Sequence, residues 1–303
     1  MKKYTIATVG KIAPHPWFDR MAVGVKKFGQ ETGHATCLRC PPRINETLEE
    51  QIIKELIEQK VDALCVVSFF PQALEMVLSK ARQHGIVVIT HEAPNQRNMD
   101  YDLEAFDNAA YGAHMLDYLA DYMGQQGGYA MFIESLTTKS HCEWAVGALN
   151  RQNEKYAGMK LVTKKIEHHE DQTLAYTKTK ELLTLYSQLK GILGLGVASI
   201  PGAAKAVEEA GRRGQIAIVG NGLVSMSGQY LKNGTVQLIS FWDPAEVGYA
   251  LNTLALLVLN GEKVADGLNL GARGYANLKL KEKVLYGAAW IDVTKENMHA
   301  YNF

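Results

Sequence analysis

The chain has 303 residues, 47% of them hydrophobic, and 32 basic residues balance 32 acidic ones. That composition excludes a disordered chain and leaves no large basic field for nucleic acid or a membrane surface. The length is too great for one modest core and suits two lobes.

No apolar run has the length to span a bilayer, and Met1-Lys2-Lys3 leads into a strand-like YTIATVG instead of a signal-peptide apolar region. The chain is therefore either cytosolic or lacks a leader removed ahead of its start methionine. Cys37, Cys40, Cys65 and Cys142 do not form a disulfide framework at this length. Cys37-Leu-Arg-Cys40 has half-zinc-site or redox spacing, but with no second pair it reads as two thiols at a strand end.

Taken in order, strands and helices alternate. Thr5–Gly10 is an apolar strand, and Trp17–Thr32 has helical spacing through Phe18, Met21, Ala22, Val25 and Phe28, stopped by Gly33. A weaker strand at His34–Cys40, an amphipathic helix at Thr47–Lys60 and a buried strand at Asp62–Val67 follow. The helix Gln72–His84 leads to another buried strand, Ile86–Thr90, and then to a polar loop, HEAPNQRNMDYD. Strands joined through single helices imply parallel pairing with right-handed crossovers.

The pattern then begins again. Helices are expected at Ala109–Gly124, Cys142–Lys155 (with Trp144, Val146 and Leu149 inward), Gln172–Tyr186 and Ile200–Gly211, with a short one closing at Gln229–Asn233. Strands are expected at Tyr129–Glu134, Leu161–Ile166, Gly191–Leu195, Ile216–Val219 and Val236–Phe241. The fold class is α/β: two doubly wound Rossmann-like lobes joined by a multi-strand hinge. The expected division is 1–106 plus 243–272 for the first lobe and 107–242 plus 273–303 for the second. A ligand cleft is expected between them, with closure by hinge motion.

The stretch ISFWDPAEVGYALNTLALLVLNG, Ile239 to Gly261, concentrates functional signals. Trp242 and Asp243 end an apolar run, Pro244 sits where a helix's first turn tolerates it, and apolar residues from Val247 recur at helical spacing. An aromatic and a carboxylate thus stand at a strand-to-helix junction, the edge of a parallel sheet where ligands bind. Asp243 also reads as a plain N-cap. Asp107, after the first crossing between lobes, reads either as a ligand contact or as a cap. His168-His169-Glu170-Asp171 gathers metal-ligand types, but adjacent positions face different ways, and it reads as a solvated turn. No metal and no cofactor are expected.

The order of elements, DALCVV, IVVIT before a polar loop, GILGLGVASIPGAAKAVEEAG, AIVGNG, and FWDP before a long helix together resemble type I periplasmic sugar-binding proteins of ABC importers over nearly the whole chain. FWDPAEVGYAL and the terminal TKENMHAYNF are most similar to the autoinducer-2 and rhamnose binding subgroup. The resemblance implies Lys11, Glu92 and Asp243 as ligand contacts, Ser140 and His141 at the second lobe's first-helix start, and a periplasmic or membrane-anchored location. It also implies a monomer that hands its ligand to an ABC permease. The autoinducer-2 receptors carry an Asp-Gln pair where Ser140 and His141 stand, so one carboxylate acceptor is missing.

These residue types suit a sugar, deoxysugar or polyol. Carboxylates accept from neighbouring hydroxyls, Lys11 donates and balances charge, and Trp17, Phe18 or Trp242 can cover a C–H face. Two competing readings are the effector core of a lactose-repressor-like regulator without its DNA-binding segment and an autoinducer-2 receptor. An enzyme is disfavoured, because GKIAPHP is not a dinucleotide-binding glycine pattern and no G-x-S-x-G or phosphate loop is present.

Overall fold

The computed structural model describes residues 2–303. The chain opens with β1 (Thr5–Val9), α1 (Pro16–Thr32), β2 (Ala35–Arg39), α2 (Glu46–Glu58), β3 (Ala63–Val66), α3 (Glu75–Gln83), β4 (Val87–Thr90) and β5 (Tyr101–Glu104). Next come α4 (Asn108–Met123), β6 (Gly127–Ile133), α5 (Lys139–Lys155), β7 (Met159–Leu161), β8 (Ile166–Glu167) and α6 (Gln172–Leu185). They are followed by β9 (Leu189–Leu195), α7 (Ser199–Glu209), β10 (Ala217–Asn221), α8 (Val224–Lys232) and β11 (Leu238–Phe241). The chain ends with α9 (Pro244–Leu259), β12 (Lys279–Lys281), β13 (Val284–Tyr286), β14 (Ile291–Val293) and a 3-10 turn at Met298–Ala300.

Two compact units result. The first contains the chain up to Asp107, Thr137–Lys139 and Trp242–Ala289; the second contains Asn108–Leu136, Ser140–Phe241 and Trp290–Phe303. The first sheet runs β12-β13-β5-β4-β3-β1-β2, parallel except for the β12–β13 hairpin. The alternating pleat sends Ala7, Val9, Leu64, Val66 and Val88 into a core with α2 and α3. Thr8 points the other way, where Asn252 of α9 donates to its hydroxyl.

On that second face α1 and α9 lie side by side. A side chain at Gly24 would overlap the Ala245 carbonyl, and one at Gly248 would come 2.7 Å from the Met21 carbonyl oxygen, so two glycines permit backbone contact. In the second unit the sheet runs β14-β11-β10-β9-β6-β7, with β8 also pairing β6. β14 is its antiparallel edge. Leu119 and Met123 of α4 pack over Gly191, while Ser199 and Ile200 of α7 pack over Gly194 on the opposite face. α4 and α5 cross with Gly112 against the Trp144 carbonyl and Gly147 against the Ala109 carbonyl.

The structure departs from sequence expectation at four places. Residues 273–289 stay with the first unit, because β13 pairs in parallel with β5, so the last crossing comes at Ala289–Trp290. The loop HEAPNQRNMDYD ends in a strand, β5, whose Asp102 and Glu104 are buried in spite of their polarity. The single strand expected at 161–166 is two short ones, β7 and β8. Val146, expected to face inward, is exposed, because two residues along a helix from buried Trp144 lies on nearly the opposite side.

Because the α4–α5 approach is backbone to backbone, no side-chain rotation can make room for a methyl group. Gly112→Ala is expected to lower stability by about 2–3 kcal/mol, read as a reduced urea midpoint with an unchanged slope.

Candidate functional site

In the first sheet the chain passes from β1 to β2 on one side and then to β3 on the other, so the strand order reverses between β1 and β3. The crevice at such a reversal, beyond the strands' carboxyl ends, is where open α/β sheets bind ligands. Lys11 leaves β1 there and Glu92 follows β4 one residue later. Their Nζ and Oε2 are 2.9 Å apart, and each residue is only 5% exposed.

Glu92 holds φ at +62°, a left-handed conformation that costs a non-glycine residue roughly 1 kcal/mol or more. Strain of this kind persists where surrounding contacts fix the residue, and it gathers at functional sites.

The two helices that start beside this edge are cut to place their first residues. His15 caps α1 by accepting from the Trp17 amide at 3.2 Å, with Pro16 at the first helical position. Asp243 caps α9 by accepting from the Ala245 amide at 2.8 Å, again with proline next. A buried indole thus stands at each helix start, Trp17 as the second residue of α1 and Trp242 directly ahead of the α9 cap, and the two meet edge to face at 4.6 Å. Phe18 lies over Gly10, whose missing side chain leaves room for the ring.

Arg20 grips Asp243 in a forked pair, Nε to Oδ1 at 2.8 Å and Nη2 to Oδ2 at 2.5 Å. The hydrogen bond to Asp243 raises the Arg20 pKa above its ordinary value, against the opposing effect of burial. Asp243 thus combines the capping role with an ion pair that sequence reading did not foresee.

The carboxyl edge of the second sheet has its own reversal, between β6 and β9. Glu134 follows β6 and His168 follows β8, both fully buried, and the imidazole of His168 occupies the space where Gly196 lacks a side chain. His169 and Glu170 take φ of +49° and +57°, two consecutive non-glycine residues in the left-handed region. The run is a turn, as read from sequence, with His169 and Asp171 exposed, but His168 is buried and the turn is tied to β6, the His168 and His169 amides donating to the carbonyls of Ile133 and Glu134.

Ser140 and His141 lie inside the first turn of α5 and are buried. His141 stacks on Trp144 at 4.1 Å, and its Nδ1 is 3.9 Å from Glu134 Oε2. Trp144 is held in turn by its indole donating to Asn108.

Of the residues selected from sequence, the first unit brings Lys11 to Glu92 and Trp17 to Trp242, and it gives Asp243 to Arg20. Asp107 lies apart on the surface, half exposed, 3.9 Å from Lys281. Arg20, His91 and Glu134 were not selected from sequence, and His168 was read only as part of a solvated turn. Glu134 had a usable signal, an acid directly after an apolar run as in the VITHE segment; Arg20 had none, because its partner is 223 residues away. Among the described residues no cluster of His, Cys, Asp and Glu has the makings of a metal site, and the four cysteines are free thiols.

Two outcomes test this electrostatic picture. Glu92→Gln removes the carboxylate paired with a buried ammonium and is expected to cost about 3 kcal/mol or more, which Lys11→Met in the same chain should largely restore; urea unfolding of the parent and the two variants measures both. Burial pushes the Asp102 carboxyl above its ordinary range, opposed by hydrogen bonds from the Thr90 hydroxyl and the Ala93 amide. Its neutral form is therefore favoured in the fold. That contribution is complete below the unfolded-state pKa and is lost as pH rises through the raised folded-state value. Asp102→Asn, which keeps the neutral shape, should melt with the parent in acid and increasingly above it as pH rises.

The sequence matches the periplasmic binding protein domain over residues 6–263. It is 21% identical over 250 residues to the D-allose-binding periplasmic protein of Escherichia coli (strain K12), covering 80% of each chain. It is 22% identical over 269 residues to the ribose import binding protein RbsB of Bacillus subtilis (strain 168), covering 87% of this chain and 84% of that one. Among solved structures, an ABC transporter solute-binding protein from Clostridium phytofermentas with bound L-rhamnose has a TM-score of 0.90 at 19% identity, over 99% of this chain and 98% of that one. LsrB from Clostridium saccharobutylicum in complex with AI-2 has a TM-score of 0.87 at 18% identity, over 99% and 100% of the two chains. The fold is that of type I periplasmic binding proteins, and the chain belongs to the periplasmic binding protein family.

Proposed function

We propose that this protein is the solute-binding receptor of an ABC importer, capturing a small sugar, deoxysugar or polyol and presenting it to a membrane permease without bond chemistry. The observation that carries this reading is the buried Lys11–Glu92 pair beyond the strands' carboxyl ends, with the indole of Trp242 against His91, the residue before Glu92, and Trp17 against that indole. A hydroxyl needs both an acceptor and a donor at fixed positions, and this pair supplies both, while flat aromatic groups suit the C–H face of a ring.

Membership of the family supports the receptor class, and relatives named for allose and ribose support a sugar as the ligand. The remaining contacts proposed from sequence are Phe18, Asp107, Ser140, His141 and Asp243. Of these, Ser140 and His141 stand at the start of α5, where a helix's free amides add donors. We also propose that the receptor works outside the cytoplasmic membrane and as a monomer.

The test is a melting-temperature panel of pentoses, hexoses, deoxyhexoses, pentitols and AI-2 on protein unfolded and refolded to strip carried-over ligand. A ligand at a hundredfold excess over its Kd stabilises the fold by about 2.7 kcal/mol. At least one polyhydroxy compound is expected to raise the transition, and the rise should vanish in Lys11→Met/Glu92→Gln. Absence of any rise, or a rise untouched in that variant, would sink the receptor or the site, respectively.

A further inference from the structure

We infer that His91 is a positioning residue, whose imidazole holds Trp242 and the neighbouring Glu92 in the geometry that receives ligand; this role rests on the receptor reading above. His91 is the residue between β4 and Glu92 and is fully buried. Its Nε2 lies 3.2 Å from the Trp242 indole nitrogen, and its Nδ1 faces the Leu103 carbonyl oxygen of β5.

The chemistry of these partners dictates where the proton sits. An indole N–H can only donate and a carbonyl can only accept, so Nε2 must be bare and Nδ1 must carry the hydrogen. The opposite tautomer would set N–H against N–H on one side and lone pair against lone pair on the other, and a flipped ring would turn carbon-bound hydrogens to both partners. His91 is thus locked in one tautomer and one orientation.

That lock joins three segments of the chain. The His91 amide donates to the Val66 carbonyl of β3 at 3.0 Å, so its backbone is pinned as well as both ring nitrogens. Trp242, directly ahead of the α9 cap, meets His91 at 5.7 Å and Phe106 at 5.2 Å in T-shaped contacts, besides Trp17. With the preceding residue immobile, Glu92 has little freedom to leave its left-handed conformation, and its carboxylate stays against Lys11.

The experiment has two arms. In the first, nitrogen-15 spectra of histidine-labelled protein are recorded, with the His91 signals identified by their loss in His91→Gln. A bare Nε2 and a protonated Nδ1 are expected, with Nε2 shifting in Trp242→Phe; a protonated Nε2 overturns the inference. In the second, calorimetric titration uses whichever of L-rhamnose, D-ribose, D-allose and D-arabinose most raises the melting transition.

His91→Phe should weaken binding about tenfold or more, and His91→Gln, whose amide oxygen can accept from the indole, should recover part of that loss. The His91→Phe/Trp242→Phe double variant should bind no worse than the weaker single one, since both remove the same bond. Parental affinity in His91→Phe, or strictly additive losses, overturns the role; if His91→Phe does not fold, Trp242→Phe and His91→Gln decide by the same comparison. If none of the four raises the transition, the titration takes whichever other panel compound does; failure of the whole panel with the parent protein overturns the receptor reading and this role together, whereas unaltered binding in the variants overturns the role alone.

Discussion

An ammonium and a carboxylate almost sealed from water impose a demand on everything around them. Moving either charge out of water costs several kcal/mol, and mutual attraction recovers that cost only when the two groups are held close and aligned. In the first unit that requirement explains the strained backbone at Glu92, because a relaxed turn would aim the carboxylate elsewhere. It also explains the placement of Lys11 one residue past Gly10, where the absent side chain admits the ring of Phe18. A stability-driven design would fill this space with apolar groups. On the proposed receptor reading, a buried ion pair at a sheet's carboxyl edge stands ready for a polar ligand and does not serve to reinforce the fold.

The helix pair α1–α9 supplies the rigidity that such a pair needs. Gly24 and Gly248 bring the helices into backbone contact, and the forked Arg20–Asp243 interaction ties their starts together. Capping, ion pairing and indole packing all gather at the starts of the two helices, so the residues at this sheet edge are held by several contacts at once. Part of Asp243's acceptor capacity is already used by Arg20 and the Ala245 amide. A carboxylate offers about four lone-pair directions, which leaves room for a ligand hydroxyl without breaking either contact.

Much of this was legible in the chain itself. Alternating apolar strands and amphipathic helices carry a strong local signal, and proline directly after Asp243 marked the start of α9 from sequence alone. What stayed hidden depends on partners distant in sequence. β5 reads as loop because Tyr-Asp-Leu-Glu is polar, yet Asp102 is buried through the Thr90 hydroxyl and the Ala93 amide, contacts no local pattern reveals. The β12–β13 hairpin lacks an Asn-Gly turn and uses Glu282 at a φ of +55° instead, so residues 273–289 carried no mark of their return to the first sheet. At the site, residue types were easier to select than pairings: Lys11 with Glu92 was foreseeable as balanced charge, whereas Arg20 with Asp243 was not.

The two units also solve one problem by the same means. Each sheet has, beyond its strands' carboxyl ends, a buried acid beside or within left-handed non-glycine backbone: Glu92 itself in the first, Glu134 beside His169 and Glu170 in the second. Aromatic groups stand near both acids: His91, which precedes Glu92, meets Trp242, and His141, stacked on Trp144, lies 3.9 Å from Glu134. Left-handed residues turn the chain sharply enough to leave a strand and still point a side chain back across its end. Glycine would do this without strain but would bring no functional group. Where a turn must both reverse the chain and present a carboxylate or imidazole, a strained polar residue is the physical solution, and the strain is a cost that a purely structural turn has no reason to bear.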